Sequence, residues 1–279
     1  MNIKIVNEIN ERILNALDQQ IIPWKQSWKN GIMNQNAISG HPYSGINELL
    51  TNCNSFSSPY WITFNQLKGT GGSIKKGEKS TPIIFFSKVQ KKESTETDQK
   101  NDSYVLLKTY RVFNLDQIKG FTIPHPIQHN TPAVSSCETI IDQMKNKPTI
   151  INKNGSKCAY QSSTDSIFMV NKNQFESLFD YYHVLFHELI HSTGHESRLN
   201  RSSITKNPQF GSKDYALEEL IAEIGANYLS NLANIQNDVC FDQSVSYINN
   251  WKSVIQNQPN AFLIASQRAQ KAVQYIQNS

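Results

Sequence analysis

The chain has 279 residues, 38% of them hydrophobic, which is long for one domain and enough to bury two modest cores. No apolar run approaches the roughly 18 residues of a membrane span. The opening MNIKIVNEINERILNALDQQ carries charges where a signal peptide has its apolar centre, so a cytoplasmic protein with no membrane partner is expected. The charge is uneven: residues 1–125 hold 15 Lys and Arg against 10 Asp and Glu, and the remainder 12 against 13. A basic half joined to a near-neutral half points to a polyanion partner for the first.

In chain order, residues 3–20 predict a helix with Ile5, Ile9, Ile13 and Leu17 on one stripe, ending before Pro23. IIPWKQSWKN follows, with Trp24 and Trp28 flanking Lys25. Rings interleaved with cations suit single-stranded nucleic acid, where aromatics stack on bases and lysines meet phosphates; the plainer alternative is a pair of core anchors. NQNAISGHPYSGINELL is rich in turn formers, and a helix is expected to begin near Asn47. ITFNQL reads as a short helix or strand. GTGGSIKKGEKS is a glycine-punctuated basic loop carrying Lys75, Lys76 and Lys79, able to approach a phosphate backbone; with no GxxxxGK(S/T) it is not a nucleotide P-loop. TPIIFFSKV and YVLLKTYRVFNLDQI are strands around a polar hairpin loop, which makes the first half α+β with a mostly antiparallel sheet.

Residues 126–136, proline-rich and aperiodic, are expected to link a first domain, 1–125, to a second, 137–279. CETIIDQMKNK predicts a helix. Two short strands follow around QSSTD, the second being Ser166–Val170, and an edge strand here could receive an extended peptide. Cys53, Cys137, Cys158 and Cys240 form no CxxC pair and are read as reduced and structural. No internal repeat is evident.

The residues 187–191, HELIH, carry the chemistry. Phe175, Leu178, Phe179, Tyr182, Phe186 and Leu189 give the segment a helical apolar stripe, Asn171 with Gln174 resembles a capping box, and Gly194 a stop. On that helix His187 and His191 leave one face a turn apart, with Glu188 beside them. Two neutral nitrogen ligands and an adjacent carboxylate are what a metal-activated water requires, and Zn²⁺, one ion, is the expected cofactor. The third ligand is not a histidine of an HExxHxxGxxH pattern, because Ser197 stands at the required position and His195 comes too early. DYALEELIAEIGANYLSNLA, a strong helix, offers Glu218, Glu219 and Glu223. Glu219 and Glu223 share a face, so one can ligate while the other orients a histidine, and Glu218 lies about 100° round the helix. One of the three carboxylates is expected on a solvated face. Further helices are expected over 242–256 and 260–277.

Taken together, the chain resembles the ArdC antirestriction proteins of conjugative plasmids and other mobile elements. The carriers are PWKQSW, NQNAISGHPYSGIN, YWITFNQLKGTGGSIKKGEKSTPIIFF and YRVFNLDQI in the first half, and AYQSSTDSIFM, FHELIHSTGHESRLNR and YALEELIAEIGANYL in the second. The resemblance implies an amino-terminal single-stranded-DNA-binding domain and a carboxy-terminal zincin-like, gluzincin-type domain, mostly helical with a small sheet. It implies protection of incoming DNA from host restriction, with a restriction protein or another DNA-associated protein as a candidate peptidase substrate. It makes Glu219 the third ligand and Glu223 its partner behind the histidines. Ser192 stands where many relatives have Trp. Trp24, Lys25, Trp28, Tyr43, Asn47, Trp61, Lys75, Lys76, Lys79 and Arg111 are the expected DNA contacts.

Two functional classes remain distinct: a zinc-dependent metallopeptidase targeted by DNA binding, and a DNA-coating protein whose metal is structural or regulatory. A two-metal nuclease fits a three-ligand HExxH site less well, and the H-x-E…P-C-x-x-C signature of zinc deaminases is missing. No oxyanion-stabilising side chain is identified; Tyr215 and His195 are the open candidates.

Overall fold

The computed structural model describes residues 3–24, 33–90, 103–123, 133–206, 212–235 and 258–278. The first half runs α1 (Ile3–Asp18), β1 (Gln35–Asn36), α2 (Ile46–Asn52), β2 (Tyr60–Thr63), α3 (Phe64–Lys68), β3 (Ser73–Ile74), β4 (Thr81–Gln90), β5 (Ser103–Asn114) and β6 (Ile118–Lys119). The second runs α4 (Ala133–Gln143), β7 (Thr149–Lys153), β8 (Ala159–Gln161), β9 (Ser166–Val170), α5 (Leu178–Ser192), α6 (Ser202–Thr205), α7 (Lys213–Leu232) and α8 (Ala261–Asn278). No helix among the described residues is long and apolar enough to cross a membrane.

A four-stranded sheet ordered β1-β2-β5-β4 organises the first half, antiparallel except between β1 and β2. ITFNQL is both strand and helix, and Thr63 makes the switch. Its hydroxyl accepts from Gln66 N at 3.2 Å while Gln66 Oε1 accepts from Thr63 N at 3.0 Å, a capping box that ends β2 and starts α3. The glycine-punctuated loop contributes β3, which pairs with β6.

The second half carries a small sheet, β7-β9-β8, with β9 parallel to β7 and antiparallel to β8. Ser166–Val170 is therefore the central strand rather than an edge; the edge strand packed against α5 is β8. The helix bearing HELIH also starts later than the sequence suggests. Gln174 does accept from Asn171 N, at 3.3 Å, but that turn caps a 3₁₀ segment, Lys172–Gln174. The α-helix begins only at Leu178, where Ser177 Oγ accepts from Asp180 N at 3.1 Å. Leu178 and Phe179, in its first turn, are largely exposed, while Tyr182, Phe186 and Leu189 face the core. Helix α4 starts at Ala133, so the end of the expected linker is helical; the rest of that linker lies outside the described residues, as do Cys240 and the helix expected over 242–256.

The main core is continuous across both halves. Ile9, Ile13 and Leu17 of α1 and Leu49 and Leu50 of α2 belong to one apolar cluster with Leu220 and Ile224 of α7 and Phe262 and Ile276 of α8. Polar ties accompany it: Tyr228 Oη donates to Gly45 O at 2.8 Å, and Asn10 Nδ2 donates to Pro259 O at 2.7 Å.

Candidate metal centre and nucleic-acid interface

Helix α5 presents His187 and His191 on one face, and α7 lies against it closely enough to bring carboxylates over that face. The close approach depends on Gly225, where a Cβ would stand 2.7 Å from Ile190 Cδ1. His187 Nε2 and His191 Nε2 are 3.1 Å apart, and the Glu219 carboxylate lies 3.5 Å from the first and 3.6 Å from the second. Donors at about 2.0–2.1 Å from a tetrahedral ion are about 3.3 Å from one another. The three side chains thus fit one small divalent cation, with room for one further ligand, and they are the only such cluster among the described residues.

Each imidazole is held from behind by its own carboxylate. His187 Nδ1 is 3.2 Å from Glu223 Oε2, and His191 Nδ1 is 3.3 Å from Glu218 Oε1. Such bonds fix ring orientation and leave Nε2 free to ligate. Glu218 is only 3% exposed, so none of the three α7 carboxylates lies on a solvated face; packing of that helix face on α5 takes it out of water. Arg201 answers its charge, with Nη2 at 2.6 Å and Nε at 3.1 Å from the carboxylate, while Ser203 Oγ donates to it as well. Burial alone would raise the Glu218 pKa; the bond to His191 and the charge of Arg201 outweigh it and hold it near 2. Burial would likewise raise Glu219, and His187 and His191 bring it down to about 2. Burial pulls His187 down, but Glu219, Glu223 and the charge of Glu188 hold it well above its ordinary value. This is a nest of carboxylates that favours positive charge at its centre.

Glu188 is buried beside the cluster, and its Oε2 accepts from the backbone N–H of Tyr160 on β8 at 2.7 Å. The strand is clamped in turn. Tyr160 Oη donates to Asp165 at 2.9 Å, Arg198 pairs with Asp165, and Arg198 Nε donates to Ser192 O at 2.7 Å at the end of α5. Arg201 Nη2 takes the neighbouring Ile190 carbonyl at 2.8 Å. The two arginines thus satisfy carbonyls of the last turn of α5. The sequence offered Glu218 as a candidate ligand but not as the carboxylate behind His191, and it did not single out Arg198, Arg201 or Tyr160; the signal lay in the arginines three apart after the motif. Tyr215 is hydrogen-bonded to Glu219, and His195 Nδ1 to Ser197 Oγ at 2.8 Å.

The expected DNA contacts fare differently. Trp24, 1% exposed, packs on Phe262 with ring centroids 5.7 Å apart. Trp61, 0% exposed, donates from Nε1 to Asn34 Oδ1 at 2.6 Å, and Tyr43 is buried with it. These three rings are core and offer no face to a base. Asn47 is occupied with β4, bonding both Ile84 N and Ile84 O. Lys75 donates to Asp116 O and Arg111 pairs with Glu8 at 2.7 Å, while Lys76 and Lys79 are exposed. Lys25 and Trp28 lie outside the described residues. Among the described residues of the first half the exposed aromatics are Phe64, Phe85 and Tyr110, none of them expected from the sequence.

Fold and site together define a zincin-like domain that shares its main core with an α+β amino-terminal half. The sequence profile of that domain, "Zincin-like metallopeptidase", matches residues 136–268, and the profile "N-terminal domain of anti-restriction factor ArdC" matches residues 3–113. The crystal structure of metal-free antirestriction protein ArdC from the R388 plasmid superposes with a TM-score of 0.75 at 29% identity, over 98% of this chain and 96% of that one. Its Mn(II)-bound form gives 0.74 at 30%, with the same coverage. The chain belongs to the ArdC antirestriction family. It is also 31% identical over 290 aligned positions to DNA primase TraC of Escherichia coli, covering 96% of this chain and 26% of TraC; the chain spans about a quarter of that relative's length.

Proposed function

We propose that the protein is an antirestriction factor that binds single-stranded DNA and hydrolyses a peptide bond at one Zn²⁺ held by His187, His191 and Glu219. The observation that carries this reading is the convergence of the two Nε2 atoms and the Glu219 carboxylate at 3.1–3.6 Å, with a separate carboxylate behind each ring. The Mn(II)-bound ArdC structure supports a divalent ion in this family. When bound, zinc supplies Lewis acidity toward a carbonyl and toward water. Glu188 takes the proton from the attacking water and returns it to the leaving amine. The Tyr160 N–H at 2.7 Å fixes one Glu188 oxygen and leaves the other to act as the base. The edge strand β8 is the natural place for an extended peptide to lie. His187 and His191 hold their rings on the metal through Glu223 and Glu218. The setting of this chemistry is the cytoplasm, and the peptidase substrate is a restriction or other DNA-associated protein.

Glu188→Gln in the full chain tests the reading. Zinc content and single-strand affinity should match the parent, while peptide hydrolysis and protection of DNA from restriction should fall by two orders of magnitude or more. Unimpaired protection by Glu188→Gln would assign protection to DNA coating alone.

A further inference from the structure

The four-stranded sheet leaves one aromatic face open on β4 and β5. Phe85 on β4 is 57% exposed and Tyr110 on β5 is 48% exposed. The register sets Ile83 opposite Tyr110 and Phe85 opposite Lys108, so these four residues share one side of the ribbon. The two rings meet edge to face, centroids 6.3 Å apart. Ile83 roots this side in the buried cluster of Tyr43, Trp61 and Val112, which makes the exposed rings extensions of a rigid platform rather than mobile loop residues. Strand β2 pairs only with Val112–Asn114, so Tyr110 and Lys108 have no strand beside them there. Lys108 is exposed on that side, and β4 and β5 contribute no acidic residue to it; Arg111, on the other side, is paired with Glu8.

Exposed aromatics on a rigid sheet face, with the Lys108 ammonium beside them and no strand carboxylate on that side, match the chemistry of unpaired bases on a polyanionic backbone. A duplex hides its base faces, and an acidic protein partner would not need two exposed rings. We infer that Phe85 and Tyr110 form the stacking platform for single-stranded DNA, with Lys108 meeting the phosphates. This rests on the single-strand reading above and places it on residues other than the buried Trp24 and Trp61.

The test uses the full chain and a fluorescent oligothymidylate of about 20 nucleotides, followed by anisotropy across a salt series. Phe85→Ala with Tyr110→Ala should weaken binding about tenfold or more, with far-UV circular dichroism unchanged. Phe85→Tyr with Tyr110→Phe should bind within about twofold of the parent. Phe85→Trp supplies a direct readout that does not depend on the alanine variant folding: its added fluorescence should be quenched by the oligonucleotide. A parent that binds while the alanine pair binds equally, or a Phe85→Trp signal that does not change, overturns the platform and leaves the single-strand reading standing. A parent that binds no single strand overturns both. An equal loss on duplex DNA rules out stacking as the mode. A dimer that the alanine pair dissociates, with oligonucleotide affinity intact, assigns the face to a second copy instead.

Discussion

At the scale of single residues, the site is governed by charges that had to be buried together. Glu218 and Arg201 sit in the core as a pair, so removing either leaves the other unanswered. Arg201→Met should cost about 3–5 kcal/mol in urea unfolding, far more than an exposed pair would. Glu218→Gln should lower zinc affinity about 10–100-fold by competition titration, because His191 exchanges a charged acceptor for a weaker neutral one. The pH dependence has a definite sign. Glu218 and Glu219 have folded-state pKa values near 2, below the ordinary 4.5, so their contribution is complete above pH 4.5 and is lost as pH falls toward 2. The metal-free chain should therefore show a urea midpoint that drops through that window. Glu48 has the opposite sign. Burial, only partly offset by its bonds from Asn34 and Asn52, pushes it up to about 8, and Oε2 has no partner among the described residues. Above pH 4.5 the unfolded chain ionises while the folded one does not, so the group destabilises the fold increasingly up to about pH 8. Glu48→Gln should consequently be more stable than the parent by a margin that widens from pH 5 to pH 8. A margin independent of pH would mean that Glu48 is ionised in the fold.

At the scale of elements, the site exists because α7 lies close on α5. Gly225→Ala should cost about 1–3 kcal/mol from overpacking against Ile190. It should also weaken zinc binding, since Glu218, Glu219 and Glu223 ride on the same helix; a thermal shift without an affinity change would separate packing from site geometry. Much at this scale was legible beforehand. HELIH, the ExxxE spacing and the α1 stripe are periodic signals, and the structure places each on the element those periods predict. What was not legible depended on partners distant in sequence. That all three neighbouring carboxylates face a histidine follows from helix–helix packing, which no local window contains. Ile190 and Gly225 are 35 positions apart, so a close approach at that glycine leaves no nearby mark. Trp24 shows a related limit: aromatic beside lysine is the same pattern whether the ring stacks on a base or, as here, anchors a core. Strand order failed too, because three short strands can be arranged with any of them in the middle, and only the parallel β7–β9 pairing decides it.

At the scale of the whole molecule, the first half is not free of the second. With α1 and α2 in one apolar cluster with α7 and α8, ligand binding in one half should stabilise the other. In a Trp251→Phe background every remaining tryptophan belongs to residues 1–125. Zinc at about 100 times its Kd should then stabilise the tryptophan unfolding transition by about 2.7 kcal/mol. A tryptophan transition indifferent to zinc, alongside a second one that responds, would show two independent units.

The shared core also fixes an order of events at the ribosome. Helices α1 and α2 emerge early, yet the surfaces that cover their apolar stripes, on α7 and α8, are more than 150 residues further along. At about 5–20 residues per second, that leaves Ile9, Ile13, Leu49 and Leu50 waiting for roughly ten seconds or longer. The nascent first half must spend that interval with an apolar flank uncovered.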